Sequence, residues 1–247
     1  MKRVSVALVV SVLCLGLGLG SVGASSAIAQ PAPVPAPVPA QKRPAAKPPG
    51  DTIDTMSAKQ LADLVQQVYD KTRTFQAGFK QRYSMKAYNK VLESEGKVVF
   101  EKPGKMSWRY DNGNRVVSDG KLIKVYQKEA RQMYEQAVDK TQYPAALSFL
   151  VGEGSLRKQF RLRKINGDRM KFKGGYVLVA KPRTATPAFQ RMLLYVDGGT
   201  HQVRRVILLD AQGNKNRFTF DAPVVNKKVE ATEFTFTPPT GTKVIRP

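Results

Sequence analysis

Cysteine is almost absent from this sequence. Of 247 residues, only Cys14 is a cysteine, and it lies inside the apolar N-terminal run 4–19. Leu13 precedes it where a lipoprotein signal requires a small residue, so we expect Cys14 to be removed with a signal peptide. The mature chain can then form neither a disulfide nor a thiolate metal site. Its fold must be held by its own apolar core.

Groups that carry catalysis are also scarce. The single histidine, His201, follows residues 198–200 in a predicted hairpin turn, which is typical of a solvated loop residue. Glu93 and Glu95 alternate along a predicted strand, as residues on a solvent-facing side do. The glycines of 152–154 lack the strand-to-helix context of a nucleotide loop. We therefore expect no enzyme activity, no cofactor and no metal, which counts against an exported hydrolase.

Acidic residues are few. There are 19 Asp and Glu against 41 Lys and Arg, which gives a formal net charge of +22. Such a balance often indicates nucleic-acid binding, but export to the cell envelope argues against that partner. Anionic membrane surfaces or acidic proteins are the alternatives. A basic coat on the outside of a sheet, without a specific partner, is equally compatible with the charge.

The N-terminal part predicts export. Lys2 and Arg3 precede the apolar run, and 27–29 offers the small residues that a signal peptidase reads, so we predict a signal peptide over 1–29. The run is short for a membrane span. Residues 30–50 alternate proline and alanine, which predicts an extended, disordered polyproline-type linker. One domain is expected over 51–247.

Apolar periodicity predicts one helix followed by a sheet. In 57–71, Ser57 and Gln60 form a capping-box pattern. One apolar stripe runs through Leu61, Leu64, Val65, Val68 and Tyr69. After Thr74 the period changes to two, and turn signals separate about 11 strands at hairpin spacing, so the sheet is predicted to be antiparallel.

Two of the predicted strands are apolar on both faces. These are 192–196 and 206–209, and in an antiparallel sheet both of their faces must be covered. A closed, filled barrel would show mostly one-faced alternation. A curved sheet with helices across its concave side fits better. Periodicity alone favours an ordinary core over a ligand cavity between helix and sheet.

The sequence predicts a short apolar helix at 143–152, between the strands. Pro144 stands near its start and Gly152 at its end. Leu147, Leu150 and Val151 fall on one side of it. The segment is either a plug at one end of a barrel or a lid over a cavity, and the residues leave both open.

Four segments in order resemble the periplasmic outer-membrane lipoprotein carrier proteins, the LolA family. They are FQAGFKQ at 75–81, FEKPGKMSWRY at 100–110, VSDGK at 117–121 and FTFTPPTG at 234–241. Each is weak alone, and their order and spacing behind a predicted signal peptide make the match specific.

The resemblance implies a mainly β protein with helices (α+β), an unclosed antiparallel half-barrel with a helical lid over a hydrophobic cavity. It also implies a monomeric periplasmic chaperone that carries the acyl chains of lipoproteins from the inner to the outer membrane. The implied partners are an inner-membrane lipoprotein-releasing ABC transporter and an outer-membrane receptor, or the outer membrane itself. An alternative with the same half-barrel is a lipid-sensing periplasmic regulator of an envelope stress response.

The resemblance also suggests the site. The lipid-binding cavity is assigned to one set of side chains: Val98, Phe100, Met106, Trp108 and Tyr110. The lid is assigned to Lys102, Leu147, Phe149 and Leu150. Many family members carry an arginine latch at the position of Lys102, and lysine offers a point charge without the planar fork of arginine. For Met106, Trp108 and Tyr110, ordinary core remains the competing interpretation.

Overall fold

The helix predicted at 57–71 is confirmed. The computed structural model describes residues 55–138, 154–186 and 188–246, and α1 spans Ala58–Asp70. Ser57 Oγ accepts a hydrogen bond from the Gln60 backbone N–H at 3.3 Å, while Gln60 Oε1 accepts from the Ser57 N–H at 2.9 Å. This reciprocal pair satisfies two N–H groups that would lack partners at the helix start. No helix within the described residues is long and apolar enough to cross a membrane.

A single sheet of 12 strands forms the rest of the described fold. Its order is β12-β6-β5-β4-β3-β2-β1-β11-β10-β9-β8-β7. All neighbouring pairs are antiparallel except β12 with β6, and the outermost strands β12 and β7 leave the sheet unclosed. The strands are β1 Thr74–Met85, β2 Lys90–Glu101, β3 Lys105–Tyr110, β4 Arg115–Asp119, β5 Leu122–Gln127, β6 Gln132–Ala137, β7 Phe160–Asn166, β8 Gly175–Pro182, β9 Arg191–Asp197, β10 Val203–Leu209, β11 Lys215–Val225 and β12 Lys243–Ile245.

The predicted half-barrel with about 11 antiparallel strands is confirmed. The structure adds one short strand, β12, which pairs in parallel with β6. In the part of the chain that the structure describes, three short helical segments connect the strands. They are α2 (Leu156–Gln159) and 3-10 turns at Asp168–Met170 and Ala231–Phe234. The predicted helix at 143–152 lies outside the described residues.

The inner face of the sheet is the one that α1 covers. On β1, Phe75, Ala77 and Phe79 are buried on this face, and they share one apolar cluster with Leu61 and Val65 of α1. The alternation of period two puts every second side chain of the strand on the opposite, outer face. The sequence pattern therefore directs one continuous apolar stripe of the sheet toward the helix.

The outer face is charged on β1 and β2. Lys80 and Arg82 face Glu95 and Glu93 across the two strands, at 4.0 and 3.3 Å. All four side chains are largely exposed, so these ion pairs add little to stability. The acids of β2 thus lie on the solvent side, as their alternation predicts.

Aromatic rings and cations cover the outer face elsewhere. Phe172, after the 3-10 turn that follows β7, packs edge-on against Tyr195 with centroids 5.5 Å apart. The guanidinium of Arg205 lies 4.9 Å from the centroid of the same ring. The two-faced strand β9 is thus buried on both sides, as its sequence predicts. Near the other edge, Phe236 packs on Tyr126 at 5.2 Å, so the C-terminal segment covers β3–β6.

One asparagine, the residue that follows β11, joins this end of the strand to the end of α1. Asn226 Oδ1 accepts from the Arg73 backbone N–H at 2.7 Å, and its Nδ2 donates to the Lys71 carbonyl at 3.3 Å. Thr74 Oγ1 donates to the Lys227 carbonyl at 2.6 Å. These bonds fix where the helix turns into β1 and therefore how α1 lies over the inner face.

Candidate functional site

The five predicted cavity residues come together on the inner face. Val98 pairs with Trp108, Phe100 with Met106 and Gly96 with Tyr110 across β2 and β3. The predicted side chains are at most 7% exposed and belong to the same apolar cluster as α1. Antiparallel pairing with inward alternation is what places them side by side. Their assignment to an acyl-chain cavity remains a prediction.

Trp108 is the centre of a group of aromatic rings on this face, which we call the aromatic wall. Its ring centroid lies 4.9 Å from that of Phe79, 5.7 Å from that of Phe100 and 5.3 Å from that of Phe218. Phe79 and Phe218 were not among the predicted cavity residues. The recurrence of phenylalanine at every second position, Phe218 and Phe220, was the available signal. The pairing of β11 with β1 places Phe218 on the inner face, and its ring contacts that of Trp108 although β1 and β2 lie between the two strands.

Helix α1 is held over this wall through Tyr69. Its hydroxyl accepts a hydrogen bond from the backbone N–H of Val203 at 3.1 Å, at the start of β10. The side chain is 1% exposed. Burial raises the pKa of the Tyr69 phenol above its ordinary value, and the Val203 N–H and the charge of Arg204 only partly offset that effect. The phenol is therefore neutral and acts as a fixed hydrogen-bonding group.

Lys102 forms a hydrogen bond with the backbone of Tyr69. Its Nζ donates a hydrogen bond to the backbone carbonyl of Tyr69 in the last turn of α1. Burial lowers the pKa of the Lys102 ammonium, and the nearby charge of Asp70 opposes that shift. A cation at a helix C-terminus also complements the helix dipole. The predicted lid partners Leu147, Phe149 and Leu150 lie outside the described residues, so a latch to them remains a prediction.

Lys102→Met should loosen the end of α1. The half-buried hydrogen bond to Tyr69 would be lost, at a cost of about 1 kcal/mol after solvent screening. We expect faster amide hydrogen exchange in the last turn of α1 and a lower melting temperature. Lys102→Arg should retain the wild-type exchange rate, and Lys121→Met, at an exposed position, is the matched control. Unchanged exchange in Lys102→Met would contradict this role.

Three polar side chains form a ladder across the inner face. Tyr110 Oη donates to Gln81 Oε1 at 3.1 Å, and Gln81 Nε2 donates to Asn216 Oδ1 at 3.0 Å. Gln81 is 2% exposed and Asn216 is 8% exposed. The ladder thus joins β3, β1 and β11 inside an otherwise apolar face. Sequence reasoning missed it, because Gln81 and Asn216 are 135 residues apart.

His201 is not the solvated loop residue predicted from sequence. It lies in the turn between β9 and β10 with φ of 55°, but its ring is half-buried and its Nδ1 lies 3.3 Å from the Tyr176 hydroxyl. Tyr176 is itself buried beneath α1, with its hydroxyl 3.5 Å from the Leu61 carbonyl. Across residues 55–138, 154–186 and 188–246, no group of three His, Cys, Asp or Glu residues is placed to hold a metal ion.

A separate hollow of about 570 Å³ lies between α1, α2 and β7. Arg157 and Asp63 form an ion pair of 2.8 Å at its wall. Acyl chains would have to desolvate these charges without compensation, which is costly. The hollow is therefore less suited to lipid than the inner face. Its lining is Lys59, Asp63, Ser155, Arg157, Lys158, Phe160, Leu162 and Arg183.

Comparison with known proteins agrees with this architecture. The family model of the outer membrane lipoprotein carrier protein LolA matches residues 70–237. The chain is 33% identical over 153 residues to an outer-membrane lipoprotein carrier protein of Bordetella avium, across 61% of this chain and 70% of the relative. The corresponding protein of Nitrosomonas europaea is 28% identical over 181 residues, across 72% and 84%.

A solved structure of a LolA superfamily protein from Nitrosomonas europaea aligns with a TM-score of 0.42 at 11% identity. The alignment covers 74% of this chain and 99% of that one. The residues matched by the family model include β1 to β11 and hence the whole aromatic wall.

Proposed function

Because the chain belongs to the outer-membrane lipoprotein carrier (LolA) family, we propose that it binds the acyl chains of lipoproteins on its inner face and carries them across the periplasm to the outer membrane. The observation that supports this most is the aromatic wall around Trp108, which α1 covers on one side of an unclosed sheet. Each CH₂ exposed to water costs about 0.8 kcal/mol, so a lipoprotein needs such a cover to leave a membrane.

The proposed cycle requires no bond chemistry. An inner-membrane lipoprotein-releasing ABC transporter would load the acyl chains into a groove between α1 and the inner face, and an outer-membrane receptor or the outer membrane would take the cargo. The segment 143–152 would act as the lid, and Lys102 would hold α1 in place while the groove is covered. The leader 1–29 would direct export, and the linker 30–50 would separate the domain from the site of translocation.

The lone tryptophan provides a direct test of the groove. The chain contains one Trp, so the emission of the wild-type protein reports on the inner face alone. A fatty acid brominated along its chain should quench Trp108 saturably, because bromine quenches only at close contact. A purified acylated lipoprotein should compete and restore the emission, while its deacylated form should not.

The control moves the tryptophan to the outside. A Trp108→Phe/Tyr88→Trp variant places the single indole at a position that is 79% exposed in the β1–β2 turn. That variant should bind the brominated fatty acid without saturable quenching. Absence of quenching in the wild type would exclude an acyl-binding groove. Quenching that lipoprotein does not reverse would instead favour the lipid-sensing regulator.

A further inference from the structure

The polar ladder divides the inner face into two apolar parts. On β1, Phe75, Ala77 and Phe79 precede Gln81 and belong to the large cluster under α1. Tyr83 and Met85 follow Gln81 and form a separate small cluster with the partly buried Leu92. The ladder is therefore a polar belt that crosses the inner face between the two clusters.

The distance along β1 from Phe75 to the belt is similar to the length of one acyl chain. Six residues separate Phe75 from Gln81, and a strand rises about 3.3 Å per residue, so the belt lies roughly 20 Å along β1. An acyl chain in a membrane leaflet spans about 15 Å, half of the hydrocarbon core. A chain with its methyl end beside Phe75 would thus end about 5 Å short of the belt, and the carbonyl group at its other end would lie toward the belt.

The side-chain amides of Gln81 and Asn216 have N–H donors that are not used within the belt. A Gln or Asn amide carries two N–H donors. Gln81 uses one of them, toward Asn216 Oδ1, and Asn216 Nδ2 donates to no other side chain or backbone group in the described part of the chain. Three amide N–H groups therefore remain for a ligand. A neutral hydrogen bond is worth about 0.5–1.5 kcal/mol, so an acceptor supplied by cargo would be bound favourably.

We infer that the Tyr110–Gln81–Asn216 ladder binds the carbonyl oxygens of the ester and amide bonds that join acyl chains to the lipidated end of the cargo. This rests on the proposed carrier function and specifies which chemical group the groove recognises beyond hydrocarbon. Carbonyl oxygens are acceptors only, which matches the unused N–H donors. Hydrocarbon chains without carbonyls would occupy the same groove and leave the donors unpaired.

The test compares two ligands that differ only in those carbonyls. One is a synthetic dipalmitoyl-S-glyceryl-cysteinyl peptide, and the other is its dihexadecyl ether analogue, which has both chains but no ester carbonyl. Each is measured by competition against the brominated fatty acid that quenches Trp108. Two neutral hydrogen bonds are worth a preference of about tenfold or more for the ester ligand in the wild type.

A paired substitution removes the belt with little change in shape. In Gln81→Met/Asn216→Leu both polar partners become apolar, which is expected to be nearly neutral for stability. This variant should bind the two ligands equally. Gln67→Met, the same amide-to-thioether change at an exposed position of α1, should keep the wild-type preference. Asn216→Leu alone should lose part of the preference, and it serves as the second variant if the double substitution does not fold.

The outcomes separate the inference from the proposed function. If the wild type binds neither ligand, the carrier function fails. If the wild type binds both ligands equally, or if the folded double variant keeps the preference, the ladder only joins strands and the inference is overturned. Preference in the wild type and Gln67→Met, with loss in the ladder variants, supports carbonyl recognition.

Discussion

Trp108→Ala should lower the free energy of unfolding by about 3–5 kcal/mol, the range found when a buried large aromatic is truncated. Trp108 is 6% exposed and contacts the rings of Phe79, Phe100 and Phe218. Truncation removes the buried ring surface and three aromatic contacts at once. Chemical denaturation followed by far-ultraviolet circular dichroism measures the loss. Binding of a fluorescent fatty-acid probe should weaken in the same variant.

Two controls place this effect on the inner face. Trp108→Phe retains a ring and should lose less than half as much stability. Phe236→Ala truncates a half-buried aromatic that packs on Tyr126 on the outer face, and it should leave probe binding unchanged. A loss below about 1 kcal/mol in Trp108→Ala would show that the wall does not depend on this ring.

Val65→Asp should have a still larger effect. Val65 is fully buried between α1 and the sheet, so the substitution removes about 1.5–3 kcal/mol of apolar burial and adds an unpaired carboxylate that costs several kcal/mol more. We expect a total loss of at least about 4 kcal/mol, with α1 released from the inner face. A hydrophobic dye should then bind to the exposed wall, and thermal melting should occur at much lower temperature.

The pH dependence of this variant has a defined sign. Burial raises the folded-state pKa of the introduced carboxyl above its unfolded value. The penalty is therefore fully present above the folded pKa and is relieved as the pH falls toward the unfolded value near 4. The difference in melting temperature from wild type should narrow between pH 7 and pH 4. Gln67→Asp, on the exposed side of the same helix, should show neither effect, and an equal loss in both variants would contradict docking through Val65.

Local patterns were enough to predict α1 and the antiparallel strands of this fold. The capping pair Ser57 and Gln60 and the apolar stripe after it predict α1 because they depend on residues three or four apart. Period-two alternation likewise predicts that Met106, Trp108 and Tyr110 share a face. These signals lie within single elements, so no knowledge of the tertiary structure was needed.

Contacts between segments that are distant in sequence could not be predicted from these local patterns. The ladder from Gln81 to Asn216, the bond from Arg73 to Asn226 and the packing of Phe172 on Tyr195 depend on which strands become neighbours. A lone glutamine in a strand gives no sign of its partner. The half-buried position of His201 was missed for the same reason, because it depends on Tyr176 from another hairpin.

The unclosed sheet has a consequence for self-association. An outermost strand presents unpaired backbone groups that can pair with another copy and lead to aggregates. On the exposed strand β7, Arg161 and Arg163 are both solvent-exposed, and two such strands meeting antiparallel would bring like charges together. At the opposite border, β12 has only three residues. The unclosed sheet is thus protected against edge-to-edge pairing by charge at one border and by the shortness of the strand at the other.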